Sequence, residues 1–217
     1  IGPATEVIDL AGLTAVPGLI EGHGHFMGLG QSRMVLDLMD VTSWDEIVRL
    51  VGEAAAKAPP GEWIRGRGWH QEKWTSVPQP NVEGFPLHDA LSTVSPNNPV
   101  ILEHASGHAT YVNAKAMQEA GITPTTKSPA GGDILTDRAG RPIGVLRETA
   151  SDLAEDALAA WLARRTPEER ATDARKVIDA AVQAALEKGV TSFQDAGESF
   201  TTVDVIKQAA EQGALGI

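Results

Sequence analysis

The pattern of apolar and polar positions predicts a chain that contains both helices and strands, in mixed order. Helical periodicity and N-terminal capping residues predict four helices, at residues 43–58, 113–120, 166–188 and 200–212. Short apolar runs bounded by Gly, Pro or Asp predict strands, at residues 5–10, 19–25, 99–102, 190–195 and 214–217, and a hairpin of 131–136 with 142–146. The closing order of helix, strand and helix is typical of a βα-repeating protein, and it predicts an α/β fold.

A change of texture within the chain predicts a separate domain. From about Trp63 to Pro142, short apolar runs are interrupted by Gly, Pro and Asn. We therefore predict a strand remnant, a first strand with its helix, an inserted α+β domain and further βα units, at residues 1–16, 17–60, 61–145 and 146–217. Because a new strand begins at the end of the last part, we expect the chain to be a portion of a longer protein.

Composition narrows the classes of function. The formal net charge is -11, from 18 Lys+Arg and 29 Asp+Glu. Such a chain repels phosphate backbones, so nucleic-acid binding is not expected. The chain has no basic amphipathic stretch for an anionic membrane surface either. Cysteine is absent, which excludes disulfides and thiolate metal ligands. Composition leaves the compartment open, and also whether the chain forms a homo-oligomer.

The strongest chemical signal is the segment Pro17-Gly-Leu-Ile-Glu-Gly-His23-Gly-His25. Residues two apart on a strand point to the same side, so His23 and His25 should project together from the strand end. Imidazole nitrogens suit zinc and similar divalent ions, and the neighbouring glycines leave room for an ion and for the loop to turn. The alternative is a pair of ordinary surface or core histidines. We expect this apolar strand to be buried, and the position directly after it favours two metal ligands.

Two segments of the predicted insertion carry candidate substrate contacts. Trp69 and His70, together with Trp74, could form the aromatic wall of a ligand pocket. They could also form a satellite core in the insertion. His108 and Asn113 could have a pocket role, in which they hydrogen-bond a substrate or order a loop, or they could be purely structural. Both interpretations stay open for both segments at this point.

Two carboxylates are candidates for a catalytic role. Glu148 follows an apolar strand and would either face a metal site or stabilise a helix N-terminus. Asp195 ends a βα strand, where barrel active sites are built, and would either act there or cap a following turn. His104 and His108 have the spacing of a helical metal pair, but a strand-like run and a Ser-Gly break argue against a helix there.

The segment that ends at His25 resembles the first-strand motif of the amidohydrolase superfamily. Four later segments are similar to amidohydrolase family 3, the group that includes N-substituted formamide deformylases. They are Gly66-Arg-Gly-Trp-His-Gln-Glu-Lys-Trp74, Ser106-Gly-His-Ala-Thr-Tyr-Val-Asn-Ala-Lys115, Gly144-Val-Leu-Arg-Glu-Thr-Ala150 and Gly189-Val-Thr-Ser-Phe-Gln-Asp-Ala-Gly197. The resemblance covers nearly the whole chain.

This resemblance implies part of a (β/α)8 barrel, with a small β-sandwich and an inserted domain. It also implies hydrolysis of C–N bonds, usually in small amides, with one or two divalent ions such as zinc. The remaining ligands of the superfamily are a Lys or an acidic residue in its place, two His and an Asp. These, and a catalytic base, would lie on later strands beyond residue 217, so we do not expect the 217 residues alone to be active.

Two rival functions remain at this stage. One is an enzyme of the same architecture that cleaves a C–O bond or a cyclic amide. The other is a truncated or degenerate protein that has no catalytic activity.

Overall fold

In the computed structural model, which describes residues 2–217, the chain alternates between strands and helices. The strands are β1 (Leu19–Gly24), β2 (Leu36–Asp37), β3 (Ile64–Trp69), β4 (Asn81–Val82), β5 (Phe85–Pro86), β6 (Val100–His104), β7 (Ala109–Val112), β8 (Gly132–Thr136), β9 (Pro142–Glu148) and β10 (Val190–Asp195). The helices are α1 (Phe26–Ser32), α2 (Trp44–Ala55), α3 (Asp89–Val94), α4 (Ala114–Glu119), α5 (Asp152–Ala163), α6 (Pro167–Glu187) and α7 (Phe200–Glu211).

The chain divides into two compact units. Unit 1 comprises the residues up to Gln31 together with Thr172–Ile217, and unit 2 comprises Ser32–Ala171. The predicted insertion at 61–145 stays a prediction, and unit 2 extends beyond it on both sides. One reason is that α2 buries Trp44, Ile47 and Val51 in the core of unit 2.

Unit 1 is built around one parallel pair of strands. β1 pairs with β10 in a register that joins Leu19 to Val190 and Gly24 to Asp195. A small core of Phe26, Ile178, Ala181 and Ala209 lies within this unit. The prediction of a strand near residues 19–25 is confirmed, but the prediction that it is buried is wrong for this chain. Leu19 is 58% exposed and Ile20 is 67% exposed, because β10 is the only strand that pairs with β1 among the described residues.

Unit 2 is built on a six-stranded mixed sheet in the order β2-β3-β6-β7-β9-β8. The first three strands are parallel and the others antiparallel. The predicted strand at 99–102 is β6, and the predicted hairpin is β8 with β9. The core of unit 2 consists of two clusters of buried residues, and both include side chains from the sheet strands. Leu102 and Tyr111 belong to one cluster, and Val112 and Leu146 belong to the other.

Several helices begin at the capping residues that the sequence indicates. The Ser43 side chain accepts a hydrogen bond from the Glu46 N–H at the start of α2. Thr166 and Glu169 form both hydrogen bonds of a capping box at the start of α6. Asn113 caps α4. In each of these caps the donor and the acceptor lie three residues apart, so the sequence alone predicts where these helices begin.

Two predicted strands are absent. Residues 5–10 and 214–217 form no strand. No other strand of the described residues pairs with either segment, and an unpaired strand has no ladder of hydrogen bonds to stabilise it. Val7 and Ile8 are accordingly 76% and 73% exposed.

The helices are too short or too polar to cross a bilayer. A membrane span needs about 20 predominantly apolar residues. α6 has 21 residues, but its first turn carries Glu168 and Glu169. Within residues 2–217 no helix combines the length and the apolar composition of a membrane span.

Candidate functional site

His23 and His25 lie together at the carboxyl end of β1, in unit 1. His23 is on the strand and His25 follows its last residue. Their ring centroids are 6.3 Å apart and the rings are edge to face. Both side chains are exposed, so they can turn toward a common ion at the ~2.0–2.1 Å distance of a Zn–N bond. The chemistry of this pair fits a divalent metal.

Gly24 has a different role from the one expected. A Cβ at this position would lie 2.3 Å from Cζ of Phe193 on β10. The space beside Gly24 is therefore occupied by the Phe193 ring, and it does not serve to admit an ion. Gly22, by contrast, has no atom within 4 Å of such a Cβ, and so it does leave the open space that was expected.

Asp195 ties the end of β10 to the segment that carries the two histidines. Its carboxylate Oδ2 accepts a hydrogen bond of 2.9 Å from the backbone N–H of Phe26, the residue after His25. The Ala196 N–H donates to the Gly24 carbonyl over 2.8 Å. Asp195 thus caps the first turn of α1, a helix distant in sequence, and not the turn that follows Asp195 itself. The two strand ends are held side by side.

The two histidines and Asp195 do not make a complete metal centre. Among residues 2–217, no group of three or more His, Asp or Glu side chains is arranged to hold a metal ion. Catalytic zinc usually has three protein ligands. A metal held by His23 and His25 would therefore need further ligands.

His108 and Glu148 come together in unit 2, at one end of the six-stranded sheet. Nδ1 of His108 is 3.1 Å from Oε2 of Glu148, and their side chains are 70% and 56% exposed. The Glu148 N–H also donates to the His108 carbonyl over 3.0 Å. Glu148 has a φ of 49°, in the left-handed region that side-chain-bearing residues rarely adopt. His108 and Glu148 are therefore joined by one side-chain contact and one backbone hydrogen bond.

His104 lies four residues before His108 in the sequence. Its side chain is buried and forms hydrogen bonds through both ring nitrogens. Its Nδ1 accepts from the Ser106 N–H over 3.1 Å, so the ring proton lies on Nε2, which donates to Oε1 of Gln71 over 3.0 Å. Both ring nitrogens are used. No pattern in the sequence indicates the contact of Gln71, whereas the position of Ser106, two residues after a histidine, is a signal for its contact.

Trp69 and His70 lie at the end of β3. Trp69 is 1% exposed and its Nε1–H donates to the Leu102 carbonyl over 2.8 Å, so it is part of the core. Trp74 stacks on it with ring centroids 6.0 Å apart. His70 is partly exposed and its ring lies 4.6 Å from that of His104. Of these three side chains, His70 is the most accessible to a ligand.

Asn113 is enclosed in the core of unit 2. Its Oδ1 accepts from the N–H groups of Val100 and Ala116, and its Nδ2 donates to the carbonyls of Ser95 and Asn98. An amide side chain has two donor hydrogens and two acceptor lone pairs, so all four positions are used. These four hydrogen bonds order the chain around Asn113, and its contact with a substrate stays a prediction.

The burial of His104 predicts a pH-dependent stability. Burial lowers the pKa of His104 below its usual 6.5, and the nearby charge of His70 acts in the same direction. Below pH 6.5 the unfolded chain therefore takes up a proton that folded His104 resists, so the free energy of unfolding should fall as pH drops from 6.5 through the lowered folded pKa. Above pH 6.5 this contribution is constant.

Urea denaturation across this pH range measures the effect. His104→Asn should show a smaller loss of stability below pH 6.5 than the unaltered chain, while His25→Asn, at an exposed position, serves as the matched substitution. Identical pH dependence in all three proteins would contradict the account.

Comparison with known proteins assigns the chain to a family. The model described as "Amidohydrolase family" matches residues 6–217. The chain is 31% identical over 215 residues to "Putative amidohydrolase YtcJ" of Bacillus subtilis (strain 168), covering 99% of this chain and 38% of that protein. It is 34% identical over 160 residues to "N-substituted formamide deformylase" of Arthrobacter pascens, covering 71% of this chain and 28% of that protein. The chain thus spans less than two fifths of the length of these relatives.

A solved structure shares the fold. The crystal structure of an uncharacterized metal-dependent hydrolase from Pyrococcus horikoshii OT3 superposes with a TM-score of 0.62 at 20% identity, over 93% of this chain and 35% of that one. The fold is accordingly a mixed α/β fold similar to that of metal-dependent hydrolases.

Proposed function

Because the chain belongs to the amidohydrolase family, we propose that it forms part of a metal-dependent hydrolase that cleaves carbon–nitrogen bonds other than peptide bonds. The observation that carries this proposal is the pair His23 and His25, held side by side at the carboxyl end of a parallel strand. The name of the formamide deformylase relative supports an amide as the substrate. We further propose that β1 and β10 are neighbouring strands of a (β/α)8 barrel, whose active sites lie at the carboxyl ends of the strands.

In this proposal His23 and His25 bind a divalent ion, zinc or a similar metal, through ring nitrogens. A bound divalent ion supplies a water of lowered pKa and polarises an amide carbonyl. Such an ion would need further ligands, and the reaction would need a base to take a proton from water and pass it to the leaving amine. One ion or two would serve this chemistry.

Asp195 acts as a positioning residue in this site. Its hydrogen bond to the Phe26 N–H fixes the backbone directly after His25, so the imidazole leaves the strand end in a defined direction. A carboxylate at this place also favours the first turn of α1 electrostatically. Asp195→Asn keeps an acceptor oxygen, whereas Asp195→Ala removes it, and the two variants separate the positioning role from the charge.

The His108–Glu148 pair is proposed to contact the substrate. Both side chains are exposed and carry hydrogen-bonding atoms beyond those they share. His70, partly exposed beside His104, is proposed to share this role. The leftover ring nitrogen of His108 and the second oxygen of Glu148 suit an amide, which offers both a donor and an acceptor.

The test is an assay on a protein of family length that carries this chain. N-benzylformamide and the corresponding formate ester, benzyl formate, are offered before and after removal of metal with a chelator. We expect amide hydrolysis to disappear on chelation and to return with Zn²⁺ or Mn²⁺. Turnover of the amide that survives chelation would refute the metal chemistry, and cleavage of the ester alone would refute the carbon–nitrogen specificity.

A further inference from the structure

A cleft in unit 2 lies among α4, the segment that follows it and the start of β9. Its volume is about 430 Å³, which is in the range of small-molecule sites. Its apolar walls come from Met117, Ile122, Pro124 and Pro142. His88 and Arg141 are also among the residues that line the cleft. None of these residues has a part in the proposed metal centre.

A serine hydroxyl contacts one nitrogen of the His88 ring. Oγ of Ser92 accepts from the Ala114 N–H and lies 2.8 Å from Nδ1 of His88. In the tautomer in which Ser92 donates its hydroxyl hydrogen to Nδ1, the proton of the neutral ring lies on Nε2. Burial lowers the pKa of His88, which keeps the ring neutral. Nε2 has no hydrogen-bond partner among residues 2–217, so one N–H donor is left for a ligand.

Arg141 is held in place by a turn of the chain. Asp137 accepts from the backbone N–H groups of Ala139 and Arg141. Its Oδ2 takes the Nε–H and one terminal nitrogen of the Arg141 guanidinium, at 2.8 and 2.7 Å. A guanidinium has five N–H donors, so other donors of Arg141 are left for an anion. The fixed position reduces the entropy that binding would cost.

We propose that this cleft binds a small organic carboxylate with an apolar body. The carboxylate accepts hydrogen bonds from Nε2–H of His88 and from the guanidinium of Arg141, and the body packs against Met117 and Ile122. The guanidinium donors that Asp137 does not use, together with Nε2–H of His88, match the two oxygens of one carboxylate. A free inorganic anion would leave the apolar walls without contacts, and a neutral alcohol would leave these donors without a charged acceptor. The inference does not depend on the proposed hydrolase function.

Titration calorimetry with sodium hexanoate on the 217-residue chain tests the proposal, with acetate and hexanol as comparison probes. Hexanoate should bind saturably and more tightly than either, because acetate lacks the apolar body and hexanol lacks the carboxylate. Equal binding of hexanol and hexanoate would overturn the assignment of a carboxylate. Absence of hexanoate binding would overturn the site.

Variants locate the binding. Arg141→Gln should weaken hexanoate binding about tenfold, the size expected for loss of a charge-assisted hydrogen bond, whereas Arg138→Gln in the same turn should not. Gln118 also lines the cleft and is exposed, so Gln118→Trp should fill the cleft and block binding without removing a buried group. Retained hexanoate affinity in Gln118→Trp, with a folded spectrum, would place the ligand elsewhere.

Discussion

Replacing His23 or His25 by alanine should weaken the binding of Zn²⁺ by about 100-fold or more. Loss of a residue that only supports a metal ligand typically costs about 10–100-fold in affinity, and loss of a ligand itself should cost at least as much. With one imidazole removed, a single side chain of the pair remains at the end of β1. Competition with a chromophoric chelator measures the affinity, and the double variant should show no further site-specific binding.

His108→Ala is the matched control for this prediction. His108 is an exposed histidine in the other unit and is already paired with Glu148, so its removal should leave Zn²⁺ affinity unchanged. Equal loss in His23→Ala and His108→Ala would mean that the ion binds histidines without selection. Unchanged affinity in His23→Ala and His25→Ala would remove the metal site from β1.

Asn113→Ala should destabilise the protein by about 3–5 kcal/mol, because buried donors and acceptors left unpaired cost about 1–3 kcal/mol each. The substitution leaves the Val100 and Ala116 N–H groups and the Ser95 and Asn98 carbonyls without their partner. Some of them will gain water in the space that the side chain vacates, so the loss is less than four full penalties. Chemical denaturation measures the free energy of unfolding.

Asn97→Ala is the control, since Asn97 is exposed and lies next to Asn98, on the connection between α3 and β6. It should change the free energy of unfolding by less than about 0.5 kcal/mol, as surface substitutions usually do. If Asn113→Ala were as stable as this control but bound substrate more weakly, Asn113 would be a substrate contact after all. The result therefore separates the two roles that sequence leaves open.

The features that could be predicted from the sequence depend on residues close together in the chain. Ser43 and Thr166 form their capping hydrogen bonds within three residues, so a short window of sequence contains both partners. The placement of His23 and His25 follows in the same way from a two-residue spacing on a strand. These parts of the fold and of the site needed no knowledge of distant contacts.

The features that could not be predicted depend on contacts between residues far apart in the sequence. The partner of Asp195 is Phe26, 169 residues away, and no local pattern indicates that pairing. Gly24 lies between the two proposed metal ligands in the sequence, yet its lack of a side chain accommodates Phe193. Trp69 has the composition of a pocket wall, but β6 supplies the Leu102 carbonyl that fixes it in the core. The burial of each side chain depended on strands brought in from elsewhere.

Paramagnetic NMR on the 217-residue chain tests the central claim, that His23 and His25 together bind a divalent ion, most directly. The chain has six histidines, whose imidazole signals can be assigned with one variant for each. Substoichiometric Mn²⁺ should broaden the signals of His23 and His25 first and together, and leave those of His70, His88, His104 and His108 sharp. Broadening of His108 or His70 ahead of this pair, or uniform broadening of all six, would contradict the account.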